Sequence, residues 1–294
     1  MPSVAAWLLA RPLNAGLALA MTMLMPGLAT ISGAILVLLV VQQDFRRVLL
    51  TTALAGIVLL VVSAASGAPP VLALVGIATF WLPILLLARV LRGTRSLTLA
   101  LQTSVIVAIV GTCAFYVLSS DPVAFWQGVI GSNPVLQSLP LPDWQTTLDM
   151  SPIQFAGVMT TLFAIGFWFG LACVILLGYW LIRQVPGNSA EFGRFCELNF
   201  GYVIASLLAV TSAAGFAFDV IWIQSIAVVI FAVFWLQGAA MVHWLHASGF
   251  VPFAVVIAAY VLTLVLFEYL FPALAVLGYT DAWFRYRNRV TKQH

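Results

Sequence analysis

Charge is what this sequence has least of: 7% of its 294 residues are Asp, Glu, Lys or Arg, against 63% apolar. A water-soluble domain runs near a quarter charged, so a soluble enzyme, a disordered chain and a nucleic-acid-binding domain are excluded. Cysteine is scarce too. Cys113, Cys173 and Cys196 are an odd number, no pair has metal-ligand spacing, and the first two fall within apolar runs, where a thiol packs as a small hydrophobe. That excludes a disulfide scaffold. Catalytic signatures are missing as well: there is no serine–histidine–acid set, no HExxH, no P-loop and no GxGxxG. No catalytic, cofactor-binding or metal-ligating residue is assigned, no cofactor is expected, and the chain reads as a non-enzyme. The net charge of +3 comes from basic residues in short loops that set topology, so no nucleic-acid partner is expected.

What the sequence has in abundance is long apolar stretches, with a mean hydropathy of +1.11. Crossing roughly 30 Å of hydrocarbon takes about 20 apolar residues in a helix, and in lipid the backbone must satisfy its own polar groups. Spans are read at 13–41, 48–65, 70–89, 97–119, 153–182, 199–217, 221–243 and 250–278. The expected fold is therefore all-α, a polytopic membrane bundle of about eight helices, with residues 1–294 as a single integral membrane domain. The first span is one tilted helix or two short ones broken at Pro26-Gly27. Its apolar run far exceeds a signal-peptide core and lacks a small-residue cleavage site, so it is expected to be retained. Membrane lipids are the first expected partners.

Basic residues set the orientation. Arg46 and Arg47, then Arg89, Arg92 and Arg95, then Arg183 and Arg194 occupy alternate connections, while residues 120–152 hold Asp121, Asp143 and Asp149 and no basic residue. The positive-inside rule places the basic loops in the cytoplasm and 120–152 outside. Three passes after 198 would put the tail outside, yet Arg285, Arg287, Arg289 and Lys292 belong inside. A re-entrant break near Pro272, between two half-helices, would resolve this and leave 281–294 as a basic cytoplasmic tail; a tail placed outside is the plain alternative. Trp180, Trp244 and Trp283 fall near inner ends and Trp222, Trp126 and Trp144 near outer ones, as an aromatic belt requires.

Small residues supply close packing where lipid gives no hydrophobic drive. Ala100, Ser104, Ala108 and Thr112 form one stripe, and Gly166/Gly170, Gly16/Ala20 and Gly201/Ala205 form pairs, expected to pack within the bundle rather than against a partner subunit. In the segment 186–198, Asn188 and Glu191 read as a capping box, and Phe192, Phe195 and Cys196 share a face opposite Arg194 and Glu197. That pattern suits a short amphipathic cytoplasmic helix that anchors at the interface or docks a partner.

Ionisable groups within spans are costly and so are candidates for function. Glu268, beside the proline break, suits a cation or substrate site of the kind built on unwound helix; the plainer reading is a hydrogen-bonded interfacial glutamate. Gln102, Gln224 and Gln237 line a cavity or bond neighbouring helices. His243 and His246 share a helix face, but a zinc site needs a third ligand, so they read as interfacial. Asp219 reads as an exposed turn residue.

Two stretches carry a resemblance: Val185-Pro186-Gly187 through Glu191-Phe192 and Glu197-Leu198, and Leu277-Gly278-Tyr279-Thr280-Asp281-Ala282-Trp283 leading into Arg285, Arg287 and Arg289. Together they resemble the YybS-like family of bacterial membrane proteins, a domain of unknown function in which a "PG…EF" segment and a terminal "G-x-x-D-x-W" recur. The family often has an acid soon after the tryptophan, where this chain has Arg285. It is distantly similar to the substrate-binding subunits of energy-coupling-factor transporters. The resemblance implies a multi-pass protein of the bacterial inner membrane, a small-molecule pocket opening outward beneath 120–152, and partner subunits. The function expected is thus a transporter-like or small-molecule-binding membrane component, with a cavity lined by Gln102, Gln224 or Gln237. The alternative is a non-catalytic scaffold or assembly factor with no sizeable cavity.

Overall fold

A computed structural model describes residues 4–25, 27–67, 69–132, 150–185 and 192–287. They form twelve α-helices, one turn of 3-10 helix at Phe195–Glu197, and no strand among the described residues. The fold is an all-α polytopic bundle. The helices are α1 (Val4–Ala10), α2 (Pro12–Leu24), α3 (Ala29–Gln42), α4 (Phe45–Ala65), α5 (Pro70–Thr94), α6 (Leu97–Leu118), α7 (Pro122–Ser132), α8 (Pro152–Arg183), α9 (Gly201–Phe218), α10 (Ile221–Ala247), α11 (Phe253–Val265) and α12 (Phe267–Phe284). Six of them, α4, α5, α6, α8, α9 and α10, are long and apolar enough to cross a membrane, and they coincide with the six interior spans read from the sequence.

The first and last spans are broken. The first parts between α2 and α3, where Gly27 takes φ +83°, a conformation that glycine adopts without strain. Upstream, α1 and α2 bend by 116°, where Arg11 is extended and Pro12 opens α2. The last span breaks at Leu266, between α11 and α12. Pro272 lies inside α12, where it removes an amide from the ladder without ending the helix. The break thus sits six residues ahead of the proline. With 13 residues, α11 rises about 20 Å, short of the roughly 30 Å of hydrocarbon.

The chain divides into two compact units, the boundary falling within α6 and α8. The first comprises Met1–Ser104 and Trp168–Phe195. Its centre is α3, whose residues Ser32 through Val40 are all buried, as a helix apolar all round must be. Close approach comes from Gly33 and Gly178: a Cβ on Gly33 would lie 2.8 Å from Val174 and Ile84, and one on Gly178 2.6 Å from Val37. Two buried hydroxyls pair with indoles. Ser32 Oγ donates to Leu19 O and accepts from Trp81 Nε1 at 3.2 Å, and Ser104 Oγ accepts from Trp168 Nε1 at 3.1 Å. Ser32→Ala is expected to cost about 1–3 kcal/mol by leaving the indole N–H unsatisfied, read as a lowered melting temperature in detergent. Arg92 closes the C-terminal end of α3 by donating to Val40 O and Gln43 O, and Arg89 stacks over Phe45, 4.4 Å from the ring centre.

Two expectations are corrected here. The segment 192–198 is not an amphipathic α-helix: Gly193 takes φ +83°, which ends any helical run, its carbonyl accepts from Tyr179 OH, and only one 3-10 turn follows. Asn188 and Glu191 lie outside the described residues. The two faces do separate as expected, with Phe192 and Cys196 buried and Arg194 and Glu197 exposed. Nor do Gly166 and Gly170 make a close helix contact among the described residues, since a Cβ on either would meet nothing there within 4 Å. The stripe Ala100, Ser104, Ala108 and Thr112 is buried throughout.

The second unit comprises Val105–Phe167 and Cys196–His294, and its axis is α10, buried from Ile226 to Met241 along most of its length. Helices α10 and α12 cross at backbone contact. A Cβ on Gly238 would sit 2.0 Å from Leu274 O, and one on Gly278 2.1 Å from Phe234 O. Phe234 meets Tyr279 edge-on and Trp235 stacks on Phe271 beside the crossing. The outer surface is apolar, with Phe216, Leu264 and Val117 almost fully exposed, as lipid contact requires.

Candidate functional site

Two groups of polar side chains are built into the second unit. The first lies where α8 and α10 begin. Ser151 and Gln154 form a capping box, Gln154 Oε1 accepting from Ser151 N at 2.9 Å and Ser151 Oγ from Gln154 N at 3.4 Å, with Pro152 at the first helical position. This fixes the first turn of α8. Between it and α10 lies a cavity of about 540 Å³ lined by Gln154, Gly157, Val158, Thr161, Gln224, Ser225 and apolar neighbours including Ile221 and Val228. Gly157 lets the helices close, because a Cβ there would come within 2.5 Å of Ile221.

A chain of hydroxyls floors the cavity. Ser225 Oγ donates to Ile221 O at 2.9 Å and lies 3.1 Å from Tyr116 OH and 2.9 Å from Thr161 Oγ1. Thr161 also has Gly157 O at 2.8 Å, so its single hydrogen has two acceptors in reach. Redirecting it costs little, which suits a group that must adjust to a guest. Gln224 spends both Nε2 hydrogens, on Gly215 O and Asp219 Oδ1, and offers a carbonyl oxygen. None of the lining residues is charged.

Helix α7 buttresses the wall behind. Asp121 Oδ1 caps it by accepting from Val123 N and Ala124 N. Trp126 is buried and donates from Nε1 to Thr160 Oγ1 at 2.8 Å, within a cluster of Phe115, Phe125 and Phe163. Trp126 is thus a packing residue and not part of an aromatic belt. Trp180, Trp222 and Trp283 are exposed; Trp144 lies outside the described residues.

The second group is a buried ionic network. Asp281, fully buried, accepts at Oδ2 from Arg287 Nη2 at 2.5 Å and from Gln237 Nε2 at 3.0 Å. Arg287 also donates to Cys196 O and Leu198 O, both at 2.7 Å, and Gln237 Oε1 accepts from Phe200 N. Four segments are tied by three side chains: the approach to α9, the middle of α10, the end of α12 and the tail. The described tail therefore ends beside 196–198, at the start of α9.

The candidates named from sequence are scattered. Gln224 lines the cavity. Gln237, some 20 Å further along α10 at 1.5 Å per residue, belongs to the ionic network. Glu268 is exposed in the first turn of α12, where a carboxylate complements the helix dipole, and it lines neither this cavity nor that network. Gln102, half-buried on α6, belongs to the first unit. His243 pairs with Tyr260 OH at 3.0 Å and His246 with Val251 O at 3.1 Å, and no cluster of metal-binding side chains occurs among the described residues.

No family model, curated protein or solved structure matches the chain.

Residues missed from sequence had partial signals. Ser151-x-x-Gln154 is a readable capping box, and Thr161 lies seven residues beyond Gln154, on the same helix face. Ser225 and Tyr116 gave no signal of their own, since a lone hydroxyl in a span is ordinarily satisfied by its own helix.

Proposed function

We propose that this multi-pass membrane protein is a small-molecule-binding component, and that its ligand occupies the cavity between α8 and α10. The observation that carries the reading is an apolar cleft of about 540 Å³, open along exposed Val158, Leu162 and Val228, with amides and hydroxyls converging on it, the make-up of a small-molecule site. The absence of charge from the lining indicates an uncharged ligand, because an ion there would be desolvated with no partner. Transport, a bacterial inner-membrane location, the YybS-like relationship and partner subunits belong to the same proposal.

Val158, 39% exposed on the cavity wall, permits a direct test. Val158→Trp fills the space without breaking a hydrogen bond. Native mass spectrometry of protein gently extracted from its own membrane is expected to give a one-to-one adduct of defined mass for the wild type and none for the variant. An adduct that survives in Val158→Trp overturns the assignment.

A further inference from the structure

A second cavity, of about 380 Å³, lies between α9, α10 and α12. Leu208, Ala209, Ala227 and Phe231 dominate its lining, Ser212 and Tyr279 supply its polar atoms, and it contains no charged residue. Val228 lines this cavity and the first one alike. Gln224, Val228 and Phe231 follow one another along a single stripe of α10, about 10 Å of helix from end to end. Polar groups are concentrated at the Gln224 end, and the Phe231 end is hydrocarbon. Val228 is 47% exposed and borders both spaces.

We propose that the two cavities form one bipartite site for an uncharged amphiphile. Its hydrogen-bonding head sits on Thr161, Ser225 and Gln224, and its hydrocarbon chain passes Val228 into the second cavity. This rests on the binding reading above and specifies its ligand class. A soluble polar metabolite would leave the second cavity unfilled, and a plain hydrocarbon would leave three convergent polar groups unused. An ionic headgroup would meet no countercharge in either lining. Because bilayer tails are as apolar as the cavity wall, the chain gains position and packing there more than transfer energy. The discriminating readout is therefore where the chain lies.

The test uses two photoreactive monoacylglycerols, one carrying a diazirine on the glycerol head and the other at mid-chain. Each is added to the full-length protein in phosphatidylcholine nanodiscs, photolysed, and mapped by peptide mass spectrometry. Head labelling is expected on 154–165 and 221–225, and chain labelling on 208–212 and 227–231. Val228→Trp is expected to lower chain labelling of 208–212 by about tenfold, a loss of about 1.4 kcal/mol in occupancy, and head labelling by less, since Val228 only borders the first cavity. Val158→Trp should lower both. Chain labelling as strong on exposed Leu264 and Val265 as on 208–212 would mean bulk lipid contact and overturn the bipartite site. Cavity labelling by the head probe with the chain mapped elsewhere overturns this inference alone and leaves the binding reading standing. Head labelling that ignores Val158→Trp overturns the binding reading itself.

Discussion

Gly278→Ala is expected to destabilise the protein by about 3 kcal/mol or more, the upper range for overpacking a close contact. The new Cβ would lie 2.1 Å from Phe234 O and 2.7 Å from Gly238 N. Both are backbone atoms of α10, so no rotamer change relieves the overlap, and α12 has to move away as a whole. Separation would also open the contact at Gly238, where a Cβ would stand 2.0 Å from Leu274 O. In lipid, where packing itself drives helix association, that contact has no hydrophobic substitute. Gly166→Ala is the matched control, expected to stay within about 0.5 kcal/mol because that position faces open space. Thermal unfolding in detergent, followed by circular dichroism, compares the two. Equal melting temperatures for Gly278→Ala and wild type would refute the backbone crossing.

Arg287→Ala is expected to cost about 3–5 kcal/mol, the penalty for leaving a buried carboxylate without its partner. Asp281 has no exposed surface and Arg287 only 8%, so water cannot replace the lost guanidinium. The same arginine satisfies the Cys196 and Leu198 carbonyls, and the variant should also loosen the approach to α9. A double-mutant cycle isolates the pair. The Asp281→Leu, Arg287→Leu double variant should be more stable than the sum of the single losses predicts, because it removes both charges together. Strict additivity of the two single changes would show that the residues do not act as a pair.

These two features mark where the sequence was legible and where it was not. Interior spans were readable because each is a continuous apolar run of membrane length, and the break at Gly27 because glycine is a helix breaker. Leu266 is a helix former with no local reason to break, so Pro272 drew attention six residues downstream. The ion pair was hidden because Asp281 and Arg287 are not at helical spacing. They meet only because Arg285, at φ +50°, ends α12 in a left-handed conformation rare outside glycine and turns the tail back. Gly278 and Asp281 were visible as parts of the terminal motif, but their role depends on α10, some 40 residues earlier in the chain. Gln224 and Gln237 looked equivalent in sequence. Only the three-dimensional setting assigns one to a cavity and the other to an ionic network.

The most direct test of the binding site is a cryo-electron microscopy map of the wild-type protein, purified from its own membrane without added lipid. Discrete density is expected between α8 and α10, within hydrogen-bonding distance of Thr161 and Ser225 and extending past Val228, with its loss in Val158→Trp. Density in that cavity no stronger than the detergent around α11, with no change in the variant, would contradict that site.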